Sequence, residues 1–473
     1  MIIKAGSIIV GGQVVSILGS LVRNIVIARS LGVEQFGVAS TLALLMALVE
    51  MVGNLAIDRA IVQYKDGNSR EVLGCAHLLT FIRNSIISVL LFFASTSIAI
   101  FFNIPESAWA FQVVALSPFI RGFINYDHIC KQRDFNFNHT ALITALPILL
   151  TSVLAYPLCK ILQDYTAMVY IILLQATIQV GLSHLLSAKR YFWHYELSIF
   201  KRLLEFGWPL LLNGLLMFVI FNGDKIIVGS NFSMETLGWY GAALTIATTP
   251  TLFMAKSTDS LFLPYLSKSQ SNFKEFGERA SFVFSLGLLA SVPILAILVV
   301  AGPTMLILLF GEGYEAGVHV LIWLAIAQGL RSLKISPAVI ATATANTRVP
   351  MYTNMTRLSG VLLACLFAYL KFDMIMIAAA GVFGELCSLV TAIYFLFWQS
   401  KRPFTIKFSR LLVCLISVSF LMLAIFGSTH EYKAEPFVYL LSALGLSIAY
   451  LSACFFFPSK IKEQAMIFIN GGH

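Results

Sequence analysis

Residues 281–301 read SFVFSLGLLASVPILAILVVA, a run of 21 residues without a charged side chain. An α-helix rises 1.5 Å per residue, so about 20 apolar residues cross the roughly 30 Å hydrocarbon core of a bilayer. A transmembrane strand of a barrel would alternate apolar and polar residues, and this run does not. The run therefore predicts a transmembrane helix.

Similar apolar runs recur along the whole chain. It has 473 residues, of which 58% are hydrophobic and 12% charged, whereas soluble domains average about 25% charged residues. The sequence therefore predicts an all-α polytopic membrane protein with about fourteen spans and no connection long enough for a soluble domain. The predicted spans are 6–28, 36–57, 77–102, 109–126, 138–159, 167–187, 207–229, 239–264, 281–301, 317–341, 352–371, 374–398, 409–427 and 436–457.

The positions of Lys and Arg predict the orientation. With the N-terminus inside, 20 of the 32 basic residues fall in cytoplasmic connections and four in the opposite ones. Cytoplasmic loops of membrane proteins carry such an excess. An odd number of missed spans would destroy the asymmetry, so we expect an even total and both termini in the cytoplasm.

A shift of 201 residues aligns the first span with the seventh without a gap. Six spans separate the two copies, and this even number gives them the same orientation, related by an axis along the membrane normal. The repeat predicts a six-helix N-lobe at residues 1–200, a six-helix C-lobe at 201–400, and two additional helices with a short tail at 401–473. The aligned identities are Gly6 with Gly207, Ile25 with Ile226, Glu34 with Glu235 and Gly37 with Gly238.

Composition also excludes several classes of function. The net charge of +9 comes from dispersed Lys and Arg without interleaved aromatic residues, so we expect no nucleic-acid partner. The seven cysteines are scattered and form no C-x-x-C pair, which argues against a disulfide framework or a metal site. We find no nucleotide-binding loop, no H-E-x-x-H and no G-x-S-x-G, and therefore predict no catalytic residue and no enzyme activity.

Eight cations fall inside the predicted spans, apart from Lys371 and Arg410 at span ends, which we assign to the connections. Each would cost roughly 2.5–3.5 kcal/mol at a lipid-facing helix centre, so they are expected to face a water-filled interior or a partner. For Arg23, Arg121 and Arg357, which lie near span ends, snorkelling to the headgroups is an equally good interpretation. Arg331 and Lys334 share one helix face, where an anion would relieve their repulsion. The candidate substrate-binding cations are Arg331, Lys334, Arg83, Lys225, Lys256, Arg23 and Arg357.

Four acids lie within the spans: Glu50, Asp224, Asp259 and Glu385. An isolated intramembrane carboxylate can carry a proton or help to bind Na⁺, so these are candidates for coupling transport to H⁺ or Na⁺. A purely structural role is the alternative for each, above all for Asp259, which lies three residues after Lys256. The repeat places Asp224 at the position equivalent to Arg23, which suggests that these two pair.

A series of loop motifs resembles the polysaccharide-transport family of the multidrug/oligosaccharidyl-lipid/polysaccharide exporter superfamily. The match covers spans one to twelve, and the order and spacing of the motifs carry it. The motifs are the runs Ala28–Gly37, Val52–Leu55 with Ile61–Gln63, Gln132–Phe137, Phe206–Leu210, Leu237–Tyr240, Leu263–Ser267 and Leu309–Tyr314.

This resemblance implies a flippase with two lobes that alternate between inward- and outward-open shapes. It would move an oligosaccharide linked to undecaprenyl diphosphate from the cytoplasmic to the periplasmic leaflet of the bacterial inner membrane, for export of O-antigen, capsule or exopolysaccharide. The implied partners are this lipid-linked oligosaccharide, membrane lipids, and a polysaccharide polymerase with its chain-length regulator. The resemblance implies no cofactor.

Three other functions stay open from the sequence. A lipid II flippase or a cation-coupled small-molecule exporter of the same superfamily would share the fold, although eight intramembrane cations against four acids favour an anionic cargo. A membrane-embedded glycosyltransferase or polymerase would need acidic motifs or a large loop that this chain lacks. A non-transporting scaffold of a polysaccharide assembly complex fits the hydropathy but leaves the buried cations unexplained.

Overall fold

The computed structural model of the chain describes residues 2–53, 55–344 and 348–396, and within these residues every regular element is a helix. Nine of the described helices are long and apolar enough to cross a membrane. The prediction of a polytopic all-α membrane protein is therefore confirmed. The predicted spans 409–427 and 436–457 lie outside the described residues.

The helices are numbered in chain order. They are α1 (Ile2–Leu31), α2 (Val33–Val52), α3 (Ile57–Gln63), α4 (Arg70–Phe101), α5 (Ala108–Val114), α6 (Leu116–Arg121), α7 (Asp127–Arg133), α8 (Asn138–Leu162), α9 (Thr166–Leu185), α10 (Leu197–Asn231), α11 (Met234–Ser267), α12 (Phe273–Val300), α13 (Gly302–Phe310), α14 (Val318–Ala343), α15 (Arg348–Tyr369) and α16 (Met374–Tyr394). Short 3₁₀ helices cover Pro105–Ser107 and Glu312–Gly317.

Each of the first twelve predicted spans coincides with helical structure, but the second ends at Val52, short of the predicted residue 57, and the fourth is not one continuous helix. It is divided at Ala115 into α5 and α6 and ends at Arg121, short of the predicted residue 126. Pro118 explains the division, because its ring clashes with the carbonyl of Val114 four residues earlier and it lacks a backbone N–H. The short helices α3, α7 and α13 in the connections were not predicted.

The chain divides into two compact units, the first ending at Ala242 and the second beginning at Ala243. In the first unit, buried residues of α3, α4, α7 and α10 form one apolar core around Ile61, Cys75 and Leu203. In the second, α11, α12 and α14 bury a core around Leu266, Phe276 and Val283. The lobe boundaries at 200 and 400 remain predictions.

The connection between α9 and α10 folds back onto the first unit. The buried carboxylate of Asp127 accepts a hydrogen bond of 2.9 Å from the backbone N–H of Ala188 and lies 3.0 Å from the ammonium of Lys131. Burial alone would raise the pKa of Asp127, but these two contacts outweigh it and hold the pKa below its ordinary value. Lys131 also donates a 2.9 Å hydrogen bond to the carbonyl of Leu186, so the Asp127–Lys131 ion pair holds the connection at both Leu186 and Ala188.

The N-terminal turns of α2 and α11 cross at glycines. A methyl group at Gly37 would lie 1.9 Å from the carbonyl oxygen of Met234, and one at Gly238 would lie 2.1 Å from the carbonyl oxygen of Val33. The 201-residue shift places Val33 on Met234 and Gly37 on Gly238. The two contacts are thus copies of each other, exchanged by a local two-fold axis.

The next turn of these helices lies on the same axis. A methyl group at Gly241 would be 3.4 Å from the hydroxyl oxygen of Ser40, and the shift makes these two residues equivalents. A residue that contacts its own copy lies on the two-fold axis. The crossing explains why Gly37 and Gly238, in the N-terminal turns of α2 and α11, are glycine, whereas the six-helix lobes remain a prediction.

A second close approach joins α15 and α16. A methyl group at Gly360 would lie 2.8 Å from the Cα of Gly384, and one at Gly384 would lie 2.7 Å from the carbonyl oxygen of Arg357. Small residues let membrane helices pack backbone to backbone, which is a main source of helix association in lipid. This approach brings the middle of α15 against the middle of α16.

Replacing Gly37 with Ala tests the crossing of α2 and α11. The added methyl meets a backbone carbonyl that cannot rotate away, and we expect overpacking to cost about 1–3 kcal/mol. The measurement is the thermal unfolding midpoint of the detergent-purified chain. The control is Gly11→Ala, where nothing lies within 4 Å of the new methyl. Equal unfolding midpoints for the two variants would contradict the crossing.

Replacing Gly384 with Ala tests the approach of α15 and α16, and Gly381 on the same helix provides a matched control. An added methyl at Gly381 meets nothing within 4 Å, so there Ala should stabilise the helix by up to about 1 kcal/mol. At Gly384 the methyl forces the backbones apart, and we expect a lower unfolding midpoint and lower abundance. A stabilised Gly384→Ala variant would show that the helices are not in contact.

Charged residues within the membrane helices

Three charged side chains from three helices meet in the second unit. Lys334 on α14 places its ammonium 3.3 Å from Oε2 of Glu385 on α16, and Arg357 on α15 places Nε 2.6 Å from Oε1 of the same carboxylate. Glu385 is 3% exposed and Lys334 is 9% exposed. Each carboxylate oxygen therefore faces a different cation in a site shielded from solvent.

The surrounding helices fix this ion cluster. The approach of α15 and α16 at Gly360 and Gly384 puts Arg357 beside Glu385, because these residues lie within one turn of the glycines. One turn further along α16, the hydroxyl of Ser388 accepts a hydrogen bond of 2.6 Å from Lys334. That hydroxyl donates in turn to the carbonyl of Thr353 at 2.7 Å.

Arg331 adds a third positive charge to the cluster. It lies one turn before Lys334 on α14 and is close enough for its charge to act on both Lys334 and Glu385. Two cations thus contact the carboxylate, and a third lies within electrostatic range of it. The sequence placed Arg331 and Lys334 on one face, and the structure adds Arg357 and Glu385 to the same place.

In the first unit the carboxylate of Glu50 contacts the guanidinium of Arg121. The side chain of Glu50 is 53% exposed, so this pair is less shielded by protein than the ion pairs of Glu385. Arg23 is also attracted by the charge of Glu50, and its Nη1 donates a 2.6 Å hydrogen bond to the side-chain oxygen of Gln175. Arg23 and Arg121, for which the sequence equally allowed snorkelling, therefore both have polar partners inside the protein.

Arg83 differs from these arginines because its partner is neutral. Its Nε and Nη2 donate hydrogen bonds of 3.1 and 2.9 Å to the side-chain oxygen of Asn84. Among the described residues no carboxylate lies within ion-pair distance of Arg83. Its positive charge, placed 13 residues into α4, is therefore left without a contacting counter-ion.

Asp224 is held by a tyrosine. Its Oδ2 accepts a 2.7 Å hydrogen bond from the hydroxyl of Tyr240, which is fully buried. The pairing of Arg23 with Asp224 that the repeat suggested is absent from the hydrogen bonds and ion pairs of the described chain. Arg23 is instead bonded to Gln175 on α9. The neighbouring Lys225 makes no ion pair within 4 Å in the same part of the chain.

Lys256 and Asp259 attract each other along α11 but do not come within ion-pair distance in the described structure. The structural pair that the sequence favoured is therefore not formed as a contact. The first unit contains four intramembrane cations and two acids, which are Arg23, Arg83, Arg121 and Lys225, and Glu50 and Asp224. The second unit contains the same numbers, which are Lys256, Arg331, Lys334 and Arg357, and Asp259 and Glu385. Each unit carries two more intramembrane cations than acids.

Sequence reasoning missed the neutral residues that complete these sites. They are Asn84, Gln175, Tyr240 and Ser388. Polar side chains in an apolar span were the available signal, but they are common in membrane helices and do not show which charge they serve. Among the described residues no group of His, Cys, Asp and Glu is arranged to hold a metal ion.

Comparisons with known proteins agree with this geometry. The sequence model of a family described as "Polysaccharide biosynthesis protein" matches residues 26–319. Teichuronic acid biosynthesis protein TuaB of Bacillus subtilis (strain 168) is 23% identical over 363 residues, which cover 76% of this chain and 73% of TuaB.

Two solved structures share the fold. Lipid II flippase MurJ, in an inward closed conformation, superposes with a TM-score of 0.76 at 15% identity, covering 94% of this chain and 98% of MurJ. An inward-facing multidrug resistance MATE family transporter of the MOP superfamily superposes with a TM-score of 0.68 at 15% identity, covering 88% of this chain and 96% of that chain. These findings confirm the resemblance seen in the loop motifs. The chain therefore belongs to the polysaccharide biosynthesis protein family and has the fold of the multi-pass transporters of the MOP superfamily.

Proposed function

We propose that this protein is a flippase that moves a lipid-linked oligosaccharide, carried on undecaprenyl diphosphate, from the cytoplasmic to the periplasmic leaflet by alternating access. The excess of intramembrane cations over acids in each compact unit carries the proposal. Charge buried at membrane depth is costly and is kept where function needs it. A cargo with an anionic head is what such an excess would attract.

The chemistry of the cargo fits this excess. A diphosphate attached to sugars needs positive charge and hydrogen-bond donors along its path, whereas its polyprenyl tail can remain in hydrocarbon. Arg83, whose contacting partner among the described residues is the amide oxygen of Asn84, and Arg331 beside Lys334 are the cations we assign to the head group. Lys225, Lys256, Arg23 and Arg357 would support them by their charge.

The polymer, the membrane and the partners belong to the same proposal. The relative TuaB is named for teichuronic acid biosynthesis, which supports export of a surface polysaccharide such as O-antigen, capsule or exopolysaccharide. The excess of Lys and Arg on one side supports an inner-membrane location with both termini in the cytoplasm. A polymerase and its chain-length regulator would receive the cargo, and no residue of this chain would act as a catalyst.

Deletion followed by complementation with Arg83→Gln or Arg331→Gln tests the proposal. Deletion should trap lipid-linked oligosaccharide in the inner leaflet and abolish surface polymer. Each variant should lower export about tenfold or more, because a hydrogen bond to a charged group contributes about 1.5–3 kcal/mol. The measurements are surface polymer and the leaflet distribution of the lipid-linked intermediate, in cells with matched protein abundance.

The control variant is Lys371→Gln, which removes an exposed cation that the sequence predicts on the opposite side of the membrane from the loops rich in Lys and Arg. Normal export by both arginine variants would overturn the proposal. Accumulation of lipid II after deletion would identify a lipid II flippase, and sensitisation to cationic drugs alone would identify a small-molecule exporter. If deletion traps the lipid-linked oligosaccharide but the Arg83→Gln and Arg331→Gln variants both restore export fully, the protein is a scaffold rather than a transporter.

Coupling to H⁺ or Na⁺ is the second part of the proposal. Asp259 is the acid we favour, because Glu50 and Glu385 contact cations and Asp224 is bonded to Tyr240. Collapsing both ion gradients in inverted vesicles should reduce transport of the lipid-linked oligosaccharide several-fold. The Asp259→Asn variant should transport slowly whether or not the gradients are present. Unchanged wild-type transport without either gradient would remove the coupling.

A further inference from the structure

We propose that Glu385 is a resident counter-anion, which neutralises the cations of the second unit while no cargo is bound and is displaced by the diphosphate of the cargo. The carboxylate thereby competes with the cargo and sets its affinity. The inference rests on the proposed function, since it assigns a regulatory role to one residue of the same cation cluster.

The geometry of the carboxylate supports this role. Its two oxygens engage two cations from two other helices, Lys334 at 3.3 Å and Arg357 at 2.6 Å. A phosphoryl group offers oxygens with a similar spacing and binds Lys and Arg by the same charge-assisted contacts. Glu385 therefore holds the positions that two phosphate oxygens would take.

Burial makes a counter-anion necessary at every stage. Lys334 and Glu385 are nearly inaccessible to solvent, and a buried charge whose partner is removed is strongly destabilising. Lys334 and Arg357 without this anion would be unstable between transport cycles. Glu385 neutralises the cations in the cargo-free protein, and the diphosphate neutralises them in the cargo-bound protein.

The contacts of Lys334 show how this exchange can leave the site in place. Its ammonium is also bonded to the hydroxyl of Ser388 at 2.6 Å, and Ser388 is anchored on the carbonyl of Thr353 at 2.7 Å. Lys334 therefore keeps its position when the carboxylate withdraws. The two contacting cations, Lys334 and Arg357, still exceed the single carboxylate, so the cluster remains attractive to an anion.

The test compares binding of inorganic pyrophosphate to the purified full-length wild type and to Glu385→Gln. Glutamine keeps the shape of the side chain but removes the competing charge. We expect the apparent Kd to fall about tenfold, because the binding-competent fraction of sites rises when the competitor is lost. The unfolding midpoint of Glu385→Gln should be lower without pyrophosphate and should rise more than that of the wild type when it is added.

Three further variants separate the possible outcomes. Lys334→Met should weaken the binding of pyrophosphate. Glu315→Gln removes an exposed acid that lies 70 residues before Glu385 in the sequence, and it should leave the Kd unchanged. If Glu385→Gln does not fold, Glu385→Asp retains the charge on a shorter side chain and should bind more tightly than the wild type by a smaller factor.

A folded Glu385 variant that binds pyrophosphate no more tightly than the wild type overturns the inference. The proposed function is judged separately, by export through the Arg83 and Arg331 variants. Loss of export in those variants together with an unchanged Kd in the Glu385 variants would leave a flippase without a resident counter-anion. Normal export in them would remove the flippase itself, whatever Glu385 does.

Discussion

The cost of placing charge in hydrocarbon constrains this molecule more than any other interaction. Each of its intramembrane cations would be expensive against lipid, and the described structure gives most of them a polar partner within the protein. These partners differ in kind. Glu385 is a buried anion, Glu50 is a half-exposed one, and Asn84 is neutral. The protein therefore bears its positive charge at membrane depth without cancelling it.

Helix packing decides how that charge is distributed. The carboxylate of Glu385 meets Arg357 because α15 and α16 approach at Gly360 and Gly384, where no side chain separates the backbones. Small-residue packing is usually discussed as a source of helix association in lipid. Here it also sets the ion pairing, since a bulkier residue at either position would move a cation away from its counter-ion.

The sequence predicted the helical spans well, because hydropathy depends on local information. Hydropathy located the first twelve spans, and the register of Gly37 with Gly238 revealed a two-fold relation whose contacts the structure displays. Partners of the charges were harder to predict. Glu50 and Arg121 are 71 residues apart, and Arg23 and Gln175 are 152 apart. Such pairs depend on how each helix is rotated, and helices that are apolar on every side give little indication of rotation.

The same reasoning explains how a transporter of this kind can lack a strict motif. A diphosphate head requires positive charge and donors within reach, but it does not require them on a particular helix. In this chain the excess of two cations recurs in both units, although the equivalent of Arg23 is Asp224 and the cations are carried by different helices. Electrostatic attraction depends on the sum of nearby charges, so that sum can be preserved while individual residues change. The packing glycines have much less freedom, because a new methyl group at Gly37 would overlap a backbone carbonyl and force the helices to shift.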